Sequence, residues 1–206
     1  MMNCAVFASG QGSNFDILLQ RKKAGDLHVN FVLMVGNNSS AGVFEKARKY
    51  GIEVLHCSPS HYLDEKEYCS SLIEKLEEKN VQLIVLAGYM KKLPAQLVHH
   101  FKEKIINIHP SLLPAFGGKG MYGSNVHKAV LDYGSKVTGV TVHFVDEEYD
   151  HGPVIIQEPV RVFDTDTCET LAARVLATEH AVYWKAVEAI ACGHVRIQGR
   201  KVVVNA

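Results

Sequence analysis

Apolar runs of strand length alternate with segments of helical periodicity through the first half of this chain, and that alternation constrains its fold more than any other feature. Residues 5–7 precede a helix from Phe15, residues 31–35 precede a helix through 44–50, and residues 53–55 precede a charged amphipathic helix across 64–79. The strand 83–87, a helix around 94–101 and the strand 105–109 continue the series. Strand, helix and strand in repeated succession build a parallel sheet. The strands read as nearly uninterrupted Val, Ile, Leu and Ala, the pattern of strands covered by helices on both faces. The expected class is α/β, a doubly wound, Rossmann-like and mostly parallel sheet that binds ligands at the carboxyl ends of its strands.

After residue 115 the pattern changes. A glycine-rich loop over 117–123 leads to a short helix near 125–133 and to strands over 137–145 and 154–160, so an antiparallel C-terminal part is expected. Asp166-Thr167-Cys168-Glu169 has capping-box spacing and opens a long helix running to about Cys192, where Gly193 can end it. The tail 195–204 reads as a hairpin turning at Gly199. No internal repeat, low-complexity stretch or Pro/Gly/Ser linker marks a boundary, and 206 residues suit a single domain over 1–206.

Composition narrows the class of partner. Lys plus Arg and Asp plus Glu both total 22, so no general field draws the chain to nucleic acid. No apolar stretch is long enough to span a bilayer, and the N-terminus runs into strand-like residues without a basic leader, which makes the cytoplasm the expected location. The five cysteines (Cys4, Cys57, Cys69, Cys168 and Cys192) are odd in number and contain no CxxC pair, against a disulfide framework or a zinc site. Small-molecule substrates are expected, with no nucleic acid, no membrane, and a monomer or homodimer.

Between the first strand and first helix lies Ser9-Gly10-Gln11-Gly12-Ser13-Asn14. Glycines there let backbone amides approach a ligand, and a helix N-terminus favours negative charge. Phe15 follows where a third glycine of GxGxxG might lie, and no Gly-Lys-Ser/Thr ending is present. The second strand ends in Gly36-Asn37-Asn38, without the acidic residue that would hold a ribose hydroxyl of a dinucleotide. A terminal phosphomonoester fits better than a dinucleotide; the plain alternative is a tight turn capped by Ser13 or Asn14.

The second chemical centre is Asn107-Ile108-His109-Pro110-Ser111-Leu112-Leu113-Pro114, with Asp150 downstream. Asn107 and His109 are two apart at a strand end, so their side chains project from one face. Pro110 and Pro114 end the strand and stiffen the loop. A carboxylate beside an imidazole favours its charged form, so Asp150 near His109 would keep a charged donor available and Asn107 would add a neutral one. Two donors facing one oxygen suit the tetrahedral intermediate of acyl transfer to an amine. Ser111 is the nearest hydroxyl nucleophile but lacks an evident base partner. His127, His143, His151 and His180 form no HxH, HExxH or Cys-paired spacing, so structural roles are expected for them and no metal is called for.

Gly10-Gln11-Gly12-Ser13-Asn14, Leu86-Ala87-Gly88-Tyr89-Met90, the 107–114 segment, Thr141-Val142-His143-Phe144-Val145 with Asp150, and Thr178-Glu179-His180 come in an order that resembles the folate-dependent formyltransferase family. Within that family the likeness is to the glycinamide ribonucleotide formyltransferases of purine synthesis, and it covers nearly the whole chain. The resemblance implies that Gly12, Ser13 and Asn14 hold the phosphate of phosphoribosylglycinamide and that Glu179 binds its ribose hydroxyl region. It places the formyl donor, 10-formyltetrahydrofolate, against Met90, Lys91, Lys92 and Leu93 and against Val145, Asp146, Glu147, Glu148, Tyr149 and Asp150, with Lys66 a further contact. The formyl group would then reach Asn107 and His109, with Asp150 orienting and charging the histidine, and no metal would be required.

Three departures from the family pattern stand out: Lys91-Lys92 is more basic than the usual Arg-plus-apolar pair, His151 replaces a common glycine, and the loop over 117–123 is longer than in the shortest members. The same Asn-x-His and distant Asp occur in methionyl-tRNA formyltransferase and formyltetrahydrofolate hydrolase. The former normally carries a further C-terminal domain and the latter an N-terminal regulatory domain. A phosphate-metabolite sensor retaining the fold is the non-enzymatic alternative.

Overall fold

The computed structural model describes residues 1–205. The chain divides into two compact units, one over Met1–Ile106 and one from Asn107 onward.

The first unit runs β1 (Met2–Phe7), α1 (Ser13–Ala24), β2 (Val29–Gly36), α2 (Val43–Lys49), β3 (Glu53–His56), α3 (Glu65–Glu78), β4 (Leu83–Leu86) and α4 (Ala95–His100). Its strands are parallel in the order β3-β2-β1-β4, as the β-α-β alternation predicts. Cys4, Ala5, Val6 and Phe7 of β1 and all four residues of β4 are buried at successive positions, which explains their lack of polar alternation. Asp64 caps α3 by accepting from the Glu67 amide at 2.7 Å, while the Glu67 carboxylate accepts from the Leu63 amide at 2.7 Å. Helix α1 begins at Ser13, two residues before the apolar periodicity does, because Gly12 in the left-handed region (φ 71°) turns the chain directly into it.

β5 (Ile105–His109) runs across the division between the units. The second unit continues with α5 (Ser124–Tyr133), β6 (Val137–Phe144), β7 (Val154–Arg161), α6 (Cys168–Ala191), β8 (Val195–Gln198) and β9 (Lys201–Val204). β6 and β7 are antiparallel, β8 and β9 form the tail hairpin, and the order is β6-β7-β9-β8. Helix α6 packs on β6 and β7. The fold is thus α/β with a mostly parallel sheet and antiparallel C-terminal strands.

The start of α6 differs in detail from the sequence pattern. Thr167, not Asp166, is the N-cap, and its reciprocal partner is Thr170, not Glu169. The Asp166 carboxylate is taken instead by the Arg174 guanidinium, at 2.6 and 2.9 Å, which holds that carboxyl well below the usual carboxylate range. No helix among the described residues is long and apolar enough to cross a membrane.

Candidate functional site

The loop after β5 is fastened from β6 and β7. Thr141 of β6 donates its hydroxyl to the Ser111 carbonyl at 2.7 Å and accepts from the Leu113 amide at 3.0 Å. Gln157 of β7 donates to the Leu113 carbonyl at 2.8 Å. The Leu113–Pro114 peptide is cis. Ser111 is fully buried and donates its own hydroxyl to the Ala115 carbonyl at 2.6 Å. That bond commits the Ser111 hydrogen to a backbone carbonyl and gives the side chain a structural role.

Asn107, His109, His143 and Asp150 converge within the second unit. His109 is 3% exposed; its Nδ1 faces Asp150 Oδ1 at 3.5 Å, and its Nε2 donates to the Phe116 carbonyl at 2.9 Å. The other Asp150 oxygen accepts from the Gly118 amide at 2.9 Å. Asp150 itself sits at φ 53°, a left-handed conformation that Asp tolerates better than most residues. A Cβ on Gly117 would lie 2.6 Å from the Leu113 side chain and 3.2 Å from Asp150 Cβ, so only glycine lets residues 116–118 close over the pair. The loop thus meets both members, its Phe116 carbonyl on the imidazole and its Gly118 amide on the carboxylate.

His143, assigned no chemical role by the sequence, belongs to this cluster. It is 1% exposed, with Nδ1 2.7 Å from the Phe144 carbonyl and Nε2 3.3 Å from Asn107 Nδ2 and 3.9 Å from Asp150 Oδ1. Burial holds its pKa below the ordinary value; the His109 charge acts the same way, against the Phe144 carbonyl, Asp150 and Asp146. The β6–β7 register shifts at this point, Val142 facing Ile156 and His143 facing Val154, so Ile155 is an extra residue. Such a bulge re-aims neighbouring side chains. Burial also depresses His127, on α5, and the His109 charge adds to the effect.

The glycine turn has the local form of an anion site. Gly12, which has no side chain, is the N-cap of α1 and makes no side-chain capping bond, so the turn presents the amino end of a helix, where backbone amides favour an anion. A Cβ at Gly12 would stand 2.4 Å from Val43 Cγ2, so the turn lies directly on α2. Ser13 is exposed and Asn14 buried.

The remaining expected contacts fall in separate places. Met90 is half exposed, Lys91 and Lys92 are exposed, and Leu93 is buried. Lys66, in the first turn of α3, lines a cavity of about 390 Å³ with Asp64, Glu65, Cys69, Pro94 and Gln96. In the second unit Val145 and Asp146 are half-buried, and Glu147, Glu148 and Tyr149 are exposed. His151, where the family usually has glycine, is placed by its neighbours: Nδ1 is 2.7 Å from Asp146, and Arg200 donates to Nε2 at 3.2 Å and to the His151 carbonyl at 2.6 Å. Glu179 is half-buried on α6, and its charge adds to burial in pushing the Tyr183 hydroxyl well above its ordinary range.

Comparison with known proteins agrees with this architecture. Residues 2–187 match the formyl transferase family. A chloroplastic phosphoribosylglycinamide formyltransferase of Vigna unguiculata is 46% identical over 90% of this chain and 60% of its own length. The chain therefore spans less than two thirds of that relative. The phosphoribosylglycinamide formyltransferase of Bacillus subtilis (strain 168) is 39% identical over 89% of this chain and 91% of its own. The crystal structure of glycinamide ribonucleotide transformylase 1 from Symbiobacterium toebii superposes with a TM-score of 0.93 at 36% identity, covering 100% of this chain and 95% of that one. With the family match running through both units and the Asn-x-His and Asp cluster assembled, this chain belongs to the formyl transferase family.

Proposed function

We propose that this chain transfers the formyl group of 10-formyltetrahydrofolate to the amine of phosphoribosylglycinamide, giving the N-formyl product and tetrahydrofolate in de novo purine (IMP) biosynthesis. It does so as one formyltransferase domain over residues 1–206, in the cytoplasm. The observation that carries the reading is the pairing of His109 with Asp150 beside an Asn107 amide whose direction is set by His143.

In this reading the amine attacks the formyl carbon, and Asn107 Nδ2–H and protonated His109 donate to the oxygen as it gains charge. Asp150 faces the imidazole Nδ1 at 3.5 Å and orients the ring. As the tetrahedral centre collapses, the bond to the folate nitrogen breaks; that nitrogen gains a proton and the attacking amine loses one, with Asp150 holding the water that carries it. For His109 to donate through Nε2, the Phe116 carbonyl has to give up its place to the formyl oxygen.

The residues present suit the two ligands. Gly12, Ser13 and Asn14 place the amino end of α1 where the phosphate would sit, and Glu179 offers a carboxylate to the ribose hydroxyls. Half-exposed Met90 and buried Leu93 offer an apolar strip to the folate ring, with Lys91, Lys92 and Lys66 supplying positive charge for its carboxylates. Val145, Asp146, Glu147, Glu148, Tyr149 and Asp150 supply backbone and side-chain polar groups for the pterin edge.

The test is formyl transfer by the purified chain from 10-formyltetrahydrofolate to phosphoribosylglycinamide, with water-only and formylatable-tRNA controls. Ribonucleotide-dependent loss of the formyl group is the expected result. Formate release without the ribonucleotide would assign a hydrolase, and a folded chain without turnover would return the sensor reading.

A further inference from the structure

The Ser9 hydroxyl joins the carboxyl ends of three strands in the first unit. Ladder bonds beyond β1 stop with the Ala8 amide on the Val35 carbonyl at 3.0 Å, on the β2 side, and the Ser9 amide on the Gly88 carbonyl at 3.0 Å, on the β4 side. The hydroxyl makes the next connection on each side. It donates its one hydrogen to Asn37 Oδ1 at 2.5 Å, just after β2, and a lone pair accepts the Met90 amide at 2.8 Å, beyond β4.

Ser9 itself and its partner Met90 each open a ligand-binding candidate. Ser9 is the first residue of the anion turn, whose Gly10 carbonyl accepts from the Val43 amide at 3.2 Å and whose Gly12 presses on Val43. Met90 is the first residue of the segment proposed to hold the formyl donor. One hydroxyl therefore fixes where both segments start.

We propose that Ser9 is a positioning residue that couples anion occupancy at the Gly10–Asn14 turn to the setting of the Met90–Leu93 segment, without itself touching the reacting groups. The inference rests on the phosphate-turn part of the proposed function. It adds a link between the two ligands inside one unit, through the Asn37, Ser9 and Met90 chain of hydrogen bonds.

The experiment reads amide hydrogen exchange and chemical shifts by NMR with ribose 5-phosphate as the probe, so that no turnover is needed. In the wild-type chain the probe is expected to shift the Gly12 and Ser13 amides and to slow exchange at Met90 about 3- to 10-fold, the range of one net hydrogen bond. Ser9→Ala should keep the Gly12 and Ser13 shifts while losing the response at Met90, and Ser9→Thr, which restores a hydroxyl, should regain it. Asn37→Ala, which unlinks the other end, should weaken the Met90 response without removing the hydroxyl. An unchanged Met90 response in Ser9→Ala, or none in the wild type while Gly12 shifts, overturns the coupling. Absence of any shift at Gly12 and Ser13 overturns the phosphate turn and the coupling with it. A Met90 response that follows this pattern in a chain without formyl transfer sinks only the enzymatic reading.

Discussion

His143 Nε2 lies 3.3 Å from Asn107 Nδ2, and the other side of the ring decides which atom donates. Nδ1 faces the Phe144 carbonyl at 2.7 Å, so Nδ1 carries the hydrogen. Burial keeps the ring neutral, which leaves Nε2 a lone pair that accepts from the Asn107 amide. One hydrogen of Asn107 Nδ2 is spent on His143, and the second remains for an oxygen in front of it. A neutral imidazole thereby selects the donor face of Asn107 over its acceptor face.

Replacing His143 with leucine removes that acceptor while keeping the site apolar. Asn107 is then free to flip, and turnover should fall about 10- to 100-fold with little change in KM, against about 100- to 1,000-fold for Asn107→Ala. Steady-state kinetics of the two single variants and the double variant check this. Because both act through one donor, the double variant should be no worse than Asn107→Ala; full additivity would detach His143 from Asn107.

Asp150→Asn keeps the left-handed backbone at this position, since Asn tolerates positive φ as Asp does, but removes the charge facing His109. Turnover should drop at least about 100-fold, as should that of His109→Ala. Both variants should still bind phosphoribosylglycinamide with a Kd close to wild type when titrated calorimetrically. Turnover near the wild-type rate in either would remove the pair from the chemistry.

Much of this site is legible in the sequence because it depends on local rules. The two-residue spacing of Asn107 and His109 at a strand end fixes their common face, and Gly12 before a helix marks the anion turn. The rest depends on strand register and on which of several groups claims a given hydrogen-bond partner, and neither is written in the residue types. His143 looked structural because its role comes from a register shift against β7, and no residue type in β6 announces a bulge. The α6 cap shifted from Asp166 to Thr167 because Arg174, a full two turns on, claims the carboxylate. Ser111 already lacks a base partner by sequence, and in the structure the Ala115 carbonyl takes its hydrogen.

The two glycines of the turn should respond differently to a methyl group. Gly12 has φ 71° and would place Cβ 2.4 Å from Val43, whereas a Cβ on Gly10 meets nothing within 4 Å. Gly12→Ala should therefore cost about 1–3 kcal/mol of stability from backbone strain and crowding. Gly10→Ala should change stability by no more than about 0.5 kcal/mol. Urea unfolding of the three proteins at neutral pH decides, and equal losses at both positions would show that the turn is not seated on α2 as described.

The buried histidines predict how stability depends on pH. His143 and His127 both have folded pKa values below the ordinary 6.5, chiefly through burial. As pH falls below 6.5 the unfolded chain takes up these protons before the folded chain does, so the unfolded state is favoured. Their contribution is fully present above 6.5 and is lost as pH drops from there through the lowered folded values. For fully buried His143 the loss is at most about 1.4 kcal/mol per pH unit inside that window. Urea unfolding at pH 7.5, 6.5 and 5.5 should show a stability curve level above 6.5 and declining below it. A chain carrying both His143→Gln and His127→Gln should decline less steeply over the same range, because glutamine has no proton to gain. An equally steep decline in that double variant would place the acid sensitivity in other groups and contradict the neutral state of His143 on which the direction of Asn107 depends.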